Sequence, residues 1–424
     1  MSTRREVLAF GAGAAVAAVA TSPAAAVAAF RHDPPDWVGT WAAVPTTVPP
    51  GPPTVLSNQT VRHVVHISAG GDELRIRLTN EFGTSPLSIG EVRVGLRAGS
   101  GASTDMVRGT GRRVTFSGRP GITIPTGAPA VSDPVRLITR AGADLVISLY
   151  LPEPTPVTTL AAFAFQENVI ADGNVAAANT VTPASTIGQY LFLSGVSVRA
   201  GSSAIVALGD SITNGANTQA NANHRWPDLL AARLRAARSK HGVVNLGVSG
   251  NRLLHDPNPP AGDPAEAYAA YFGQSALRRF DRDVLAQPAA EYLIVLLGVN
   301  DLGHPGTAAP PSEVVSAEDI IGGHRQLIAR AHQAGLRAYG ATILPFRGDT
   351  LAFWTAENER KRGAVNQWIR TSGEYDAVID FDAATRDPAD PLRLRPAYDS
   401  GDHLHPNDAG MAAMAEAIPL RLFR

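Results

Sequence analysis

The chain has 424 residues, with 37 Lys and Arg against 38 Asp and Glu, a formal net charge of −1 and no cysteine. The near-neutral balance gives no electrostatic pull toward nucleic acid or an anionic membrane surface. The absence of cysteine excludes disulfides, thiolate catalysis and Cys-ligated zinc. Length and a 44% hydrophobic content leave room for two domains with substantial cores.

Thr3-Arg4-Arg5-Glu6-Val7-Leu8 is a twin-arginine pattern. An Ala-rich apolar stretch follows it, with small residues suited to cleavage near Ala24 to Ala28. Residues 1–30 therefore read as an export signal, and the protein is expected to be secreted. No later segment is long and apolar enough to span a membrane. Residues 31–58 are Pro-rich and read as an extended lead-in.

Residues 59–200 alternate apolar and polar positions. Val61–Ile67 and Leu74–Leu78 flank Gly70-Gly71-Asp72, a hairpin signal. Further short runs, such as Val92–Leu96 and Leu145–Tyr150, are separated by Gly/Pro turns. The pattern implies an all-β sandwich or jelly-roll-like accessory domain.

Near residue 203 the pattern changes. Ala204–Leu208, Val243–Leu246, Leu293–Leu297, Arg337–Ile343 and Ala377–Asp380 read as five strands, the third a continuous buried run. Helical patterns lie between them at Trp226–Arg238, from Ser316 to a stop at Gly335, and at Glu357–Arg370. Such alternation implies an α/β fold over residues 201–424, with a doubly wound, mainly parallel five-stranded sheet.

Three of these strands end in small polar loops: Gly209-Asp210-Ser211, Gly247-Val248-Ser249-Gly250 and Gly298-Val299-Asn300-Asp301. Parallel strands bring such ends to one edge, where open α/β sheets carry their chemistry. Near the C-terminus lies Asp402-His403-Leu404-His405. A serine, a distant Asp and His, and nearby amide donors are the parts needed for nucleophilic acyl transfer. Each residue also has a structural reading: Ser211 as a turn or cap residue, Asn300 as a left-handed turn, Asp402 as a cap for the helix after Pro406. The ordered set is what points to catalysis.

Those four blocks resemble the SGNH (GDSL) hydrolase superfamily over residues 203–424. The upstream β region with Trp41 resembles the N-terminal part of secreted actinobacterial members. The resemblance implies a serine esterase acting on carboxylic esters, with Ser211 as nucleophile, His405 as base and Asp402 as its orienting acid. It further implies an oxyanion hole from Ser211, Gly250 and Asn300, with structural roles for Asp210 and Asp301, and calls for no metal or organic cofactor. The Asp-x-x-His spacing selects His405 over His403. The expected substrate is a small-molecule or polymer-borne ester, with short-chain or acetyl esters favoured, carbohydrate-borne ones among them. Nucleic acid and integral membrane association are not expected. A lipase or phospholipase of the same family is the nearer alternative. A glycan- or surface-binding protein with a vestigial hydrolase core is the alternative of another class. His304 reads as a solvated loop histidine. Trp226 reads as packing between helix and sheet, and Tyr268, Tyr271 and Phe272 as a substrate wall.

Overall fold

Strand propensity and turn chemistry divide the chain into two kinds of sheet. The structure, a computed structural model, describes residues 37–424, and the leader expected over residues 1–30 lies outside them. The described residues belong to one compact unit. No helix among the described residues is long and apolar enough to cross a membrane.

The first part is antiparallel. Its strands are β1 (Trp37–Ala42), β2 (Gln59–His66), β3 (Gly71–Thr79), β4 (Glu91–Leu96), β5 (Arg112–Val114), β6 (Pro129–Val131), β7 (Val135–Thr139), β8 (Asp144–Leu151), β9 (Asn168–Asp172), β10 (Ser185–Ile187) and β11 (Leu193–Arg199), besides shorter pairs. One sheet runs β1-β11-β3-β7 with β6 also on β3, and the other runs β10-β9-β2-β8-β4-β5. Leu74, Ile76 and Leu78 from the first sheet share one apolar cluster with Val61, Val65, Leu145 and Ile147 from the second. Burying the two facing sides against each other is what makes the alternating pattern stable.

Gly70-Gly71 does not close a hairpin. β2 pairs with β8 and β9, whereas β3 pairs with β11, β7 and β6. The turn instead passes the chain from one sheet to the other. A two-residue turn signal reports a reversal of direction; the partner is chosen by which apolar face finds the core.

The second part is parallel. Its strands are β12 (Ala204–Gly209), β13 (Gly242–Gly247), β14 (Ala290–Leu296), β15 (Arg337–Ala341) and β16 (Ala377–Ile379), ordered β13-β12-β14-β15-β16. Every residue of β12 is buried, because apolar clusters cover both faces of this sheet. The main helices are α1 (Ser211–Asn214), α2 (Trp226–Ala236), α3 (Ala276–Phe280), α4 (Val299–Gly303), α5 (Ala317–Gln333), α6 (Ala356–Thr371), α7 (Phe381–Thr385) and α8 (Asp408–Glu416). A capping box between Ser316 and Asp319 starts α5, and Gly335 with φ +79° follows its end. Trp226 is fully buried, its ring 5.5 Å from that of Phe381. The strand order reverses at β12, so the crevice beyond its carboxyl end is the topological switch point.

β1, inside the Pro-rich stretch, joins the two parts. It pairs with β11 in the antiparallel sheet, while the backbone of Gly39 comes so near β13 that a Cβ on Gly242 would fall 2.0 Å from the Gly39 carbonyl oxygen. β13 is the edge of the parallel sheet, and Ser68 satisfies it there. Its hydroxyl oxygen accepts from the Val243 N–H at 2.8 Å, and its one proton lies within reach of the Thr40 carbonyl at 2.7 Å and the Val243 carbonyl at 2.9 Å. A capped edge cannot recruit a foreign strand. Ser68→Ala leaves the buried Val243 N–H without that acceptor, so it should destabilise the protein by about 1–3 kcal/mol. Urea unfolding checks this; an unchanged midpoint would show that the hydroxyl is dispensable.

Candidate active site

The nucleophile turn is built by close approaches. β12 leads into Asp210, whose carboxylate caps α1 by accepting the Ile212 N–H at 3.0 Å. Ser211 is the first residue of α1, so its N–H has no acceptor within the helix. Gly215, at φ 104°, closes the helix by donating to the Ser211 carbonyl. The end of β13 lies against this turn: Asn245 donates to the Thr213 carbonyl at 2.7 Å. A Cβ on Gly247 would stand 2.2 Å from the Asn214 nitrogen.

The C-terminal block meets this turn from 194 residues away. His405 Nε2 is 2.7 Å from Ser211 Oγ, and His405 Nδ1 is 2.6 Å from Asp402 Oδ2. Asp402 Oδ1 also accepts the backbone N–H groups of Leu404 at 2.9 Å and His405 at 2.8 Å. Burial works to raise the Asp402 carboxyl, but the His405 ring and these two N–H groups outweigh it and hold the group well below the usual carboxylate range. An ionised Asp402 accepts the Nδ1–H, which leaves Nε2 with a lone pair for the Ser211 hydroxyl. Ser211 is 7% exposed and His405 9%, so the pair is shielded yet reachable. Asp402 does not cap the following helix. Asn407 does, accepting from Gly410 N–H at 3.0 Å.

Gly250 and Asn300 come together through Asn251. The Asn300 amide donates to the Asn251 carbonyl at 2.9 Å. Asp301, directly after it, accepts the Leu253 and Leu254 N–H groups at 2.8 and 2.9 Å. Gly250 has φ +76°, and a Cβ there would fall 2.1 Å from the Phe272 ring; only glycine suits both conditions. Beneath lies Arg279, fully buried on α3. Its guanidinium grips Asn251 Oδ1 through Nε at 3.1 Å and Nη2 at 3.0 Å, and Nη2 also reaches the Gly209 carbonyl at 3.2 Å. Arg279 thus ties the strand end before Ser211 to the loop that carries Gly250. The Asn251 amide donates to the carbonyls of Phe272 and Gln274, both at 2.8 Å.

Burial dominates the remaining charges. It pushes the Asp210 carboxyl up to about 7 despite the Ile212 N–H, and raises Asp301 despite its two backbone donors. His304 is not a solvated loop histidine. It is 4% exposed, between Phe272 at 5.1 Å and Phe353 at 5.5 Å. Burial, aided by Arg252, lowers it to about 3, so the ring is neutral. The ring sits just after α4, with these two aromatic neighbours arriving from other segments. Of the expected wall, Phe272 lies against Gly250 and Tyr268 stands edge-on to Phe272 at 5.5 Å. Tyr271 turns away to pack against Phe163 and the antiparallel core. His403 pairs with Asp399 through Nδ1, separate from the His405 ring. No group of three His, Cys, Asp or Glu residues among the described residues could hold a metal ion.

Arg279 and Asn251 escaped sequence reasoning. A signal existed for Arg279. It shares a helical stripe with Ala276, Phe280 and Asp283, all buried, and an arginine with a carboxylate four residues on along an apolar stripe marks a buried pair.

Two consequences are measurable. The Asp210 carboxyl has a native pKa above its ordinary value of 3.8, so the stability it allows is complete below about pH 4 and is lost as pH rises through about 7. Asp210→Asn keeps the capping oxygen and removes this titration, and should therefore gain stability relative to wild type between those limits. Urea midpoints at the two pH values test it; a constant difference would refute the assignment. Gly250→Ala should cut ester hydrolysis at least about tenfold, since the loop must shift to clear Phe272. Steady-state kinetics on a folded variant, verified by circular dichroism, reads the effect; full activity would argue against a constrained loop.

A model of the GDSL-like Lipase/Acylhydrolase family matches residues 207–413. No curated protein matches the chain. Among solved structures, the chain is similar to a GDSL-like lipase from Bacteroides thetaiotaomicron at 15% identity, covering 50% of this chain and 84% of that one with a TM-score of 0.35. It is also similar to a carbohydrate acetylesterase family member from Sinorhizobium meliloti, at 16% identity, 51% and 94% coverage and a TM-score of 0.38. A third is Est24, a carbohydrate acetylesterase from the same organism, at 13% identity, 52% and 98% coverage and a TM-score of 0.38. The glycine-bearing strand ends and the family match agree on the same stretch of chain: residues 207–413 form a GDSL-like lipase/acylhydrolase family domain, and that domain is an ester hydrolase.

Proposed function

We propose that the protein is a secreted serine esterase that works through Ser211, His405 and Asp402 and prefers short-chain or acetyl esters. The observation that carries this reading is the continuous path Asp402 Oδ2–His405 Nδ1 at 2.6 Å and His405 Nε2–Ser211 Oγ at 2.7 Å. Ser211 Oγ attacks the ester carbonyl carbon while His405 Nε2 takes its proton. The developing oxyanion is held by the N–H groups of Ser211 and Gly250 and by the Asn300 amide. One hydrogen of that amide is occupied by the Asn251 carbonyl, which orients the other. Collapse of the tetrahedral intermediate expels the alkoxide, which receives the proton from His405. Water, deprotonated by the same nitrogen, then releases the acid from the acyl-enzyme.

The preference for small acyl groups rests on the wall at Gly250. Phe272 packs directly on Gly250, with His304 beside it at 5.1 Å and Phe353 beyond His304 at 5.5 Å, an aromatic wall at the loop that carries a proposed oxyanion donor. Secretion rests on the twin-arginine pattern at Arg4-Arg5. Carbohydrate-borne acetyl groups remain within the proposal as one form of short ester.

Ser211→Ala should lower hydrolysis of an aryl acetate at least about a thousandfold and abolish labelling by a fluorophosphonate probe. Retained turnover in the purified variant would sink the assignment, as would a wild-type protein that the probe does not label. Across aryl esters of increasing acyl length, kcat/KM should fall beyond the shortest chains; a maximum at long chains would favour a lipase.

A further inference from the structure

The turn after the nucleophile helix sends one side chain to the far end of the sequence. Gly215 and Thr218 shape that turn, the Thr218 hydroxyl donating to the Gly215 carbonyl at 2.7 Å. The Ala216 N–H returns to the Ser211 carbonyl at 2.9 Å. Between them, Asn217 adopts a left-handed backbone with φ 62°. Its amide Nδ2 donates to Asp402 Oδ2 at 2.8 Å and to Ser400 Oγ at 3.0 Å. The Ser400 hydroxyl in turn donates to Asp402 Oδ1 at 3.2 Å. Asp402 Oδ2 is the same oxygen that accepts the His405 Nδ1–H.

We propose that Asn217 is a positioning residue for the Ser211–His405–Asp402 set, sharing the carboxylate oxygen that holds the imidazole and so setting both its orientation and its basicity. The proposal rests on the catalytic reading of those three residues. Geometrically, Asn217 lies six residues after Ser211 on the same short connection, so it links the nucleophile turn to the Asp402 loop. His405 is then held between two segments that are tied to each other. Electrostatically, two donors share one oxygen. Charge drawn toward the Asn217 amide is less available to His405, so the amide weakens the preference for imidazolium. The working base is the neutral imidazole, and the amide acts on the same carboxylate oxygen that orients it.

The other titratable groups around the site are the same in wild type and in both variants, so the comparison between them cancels their titration. They are Asp402 on its own loop, Asp210 at the end of β12, the Asp399–His403 pair on the same loop, and the His224–Asp408 pair between the start of α2 and α8.

Asn217→Gly keeps the left-handed backbone and removes the amide. Asn217→Asp faces Asp402 with a second carboxylate. The measurement is kcat/KM against pH for an aryl acetate, in wild type and both full-length variants, with melting temperature as a check of folding. The acid limb should move up by about half a pH unit in Asn217→Gly and further in Asn217→Asp. A purely structural role would lower the rate at every pH and leave the limb in place, and that result overturns the proposal. An unchanged rate with an unchanged limb overturns it equally. Should Asn217→Gly fail to fold, Asn217→Asp carries the test with the same sign. A wild-type profile with no acid limb brings down the catalytic reading and this proposal together, whereas a wild-type limb that neither variant moves brings down the role of Asn217 alone.

Discussion

The constraint on which the site depends is the placement of an imidazole nitrogen against a hydroxyl that belongs to a distant part of the chain. Three short segments meet to do it: the turn at Ser211, the loop from Asp402 to His405 and the glycine loop at Gly250. None of these has the length to hold itself in place. Asp402 orients the ring because its carboxylate accepts both the Nδ1–H and the backbone N–H of the same residue. The imidazole therefore cannot turn without breaking a charge-assisted bond.

Buried polar groups hold the rest of the edge. Arg279 binds Asn251 and Gly209, Asn251 binds Asn300, and Asp301 binds the backbone just beyond Asn251. A buried guanidinium is costly to desolvate, and burial lowers Arg279 to about 10 while leaving it charged at neutral pH. Such a group persists where its fixed fork of donors is used in full. Here the fork registers two strand-end loops that carry the candidate oxyanion donors. Asp210 contributes differently: its capping bond fixes the start of α1, and its burial raises its carboxyl to about 7. A carboxyl beside the nucleophile thus serves as a structural cap.

The antiparallel part is joined to this machinery along one edge. β1 and Ser68 cover β13, and Asn214 at the end of α1 donates to the Phe163 carbonyl at 3.1 Å. The nucleophile turn is thereby braced from both sides, by α2 and the parallel sheet on one and by the antiparallel part on the other.

The sequence by itself determined the periodicities and the chemistry-bearing blocks. Five apolar runs with helical patterns between them specify a parallel sheet, because only a strand covered on both faces is apolar throughout, as in β12. Gly209-Asp210-Ser211, Gly250, Asn300 and Asp402-x-x-His405 were legible because each follows a strand end or keeps a fixed local spacing. What only the tertiary structure decided concerns partners separated along the chain. Gly70-Gly71 marks a reversal, yet the strands around it enter different sheets, since core burial and not the turn selects a strand's neighbour. His304 looks like a loop residue and is buried, because Phe272 and Phe353 arrive from other segments. Asn217 is one of several asparagines in a polar turn, and nothing local distinguishes it. Its amide meets Asp402 only because folding brings residues 217 and 402 together. Local patterns encode what a residue can do, and the fold decides which partner it does it with.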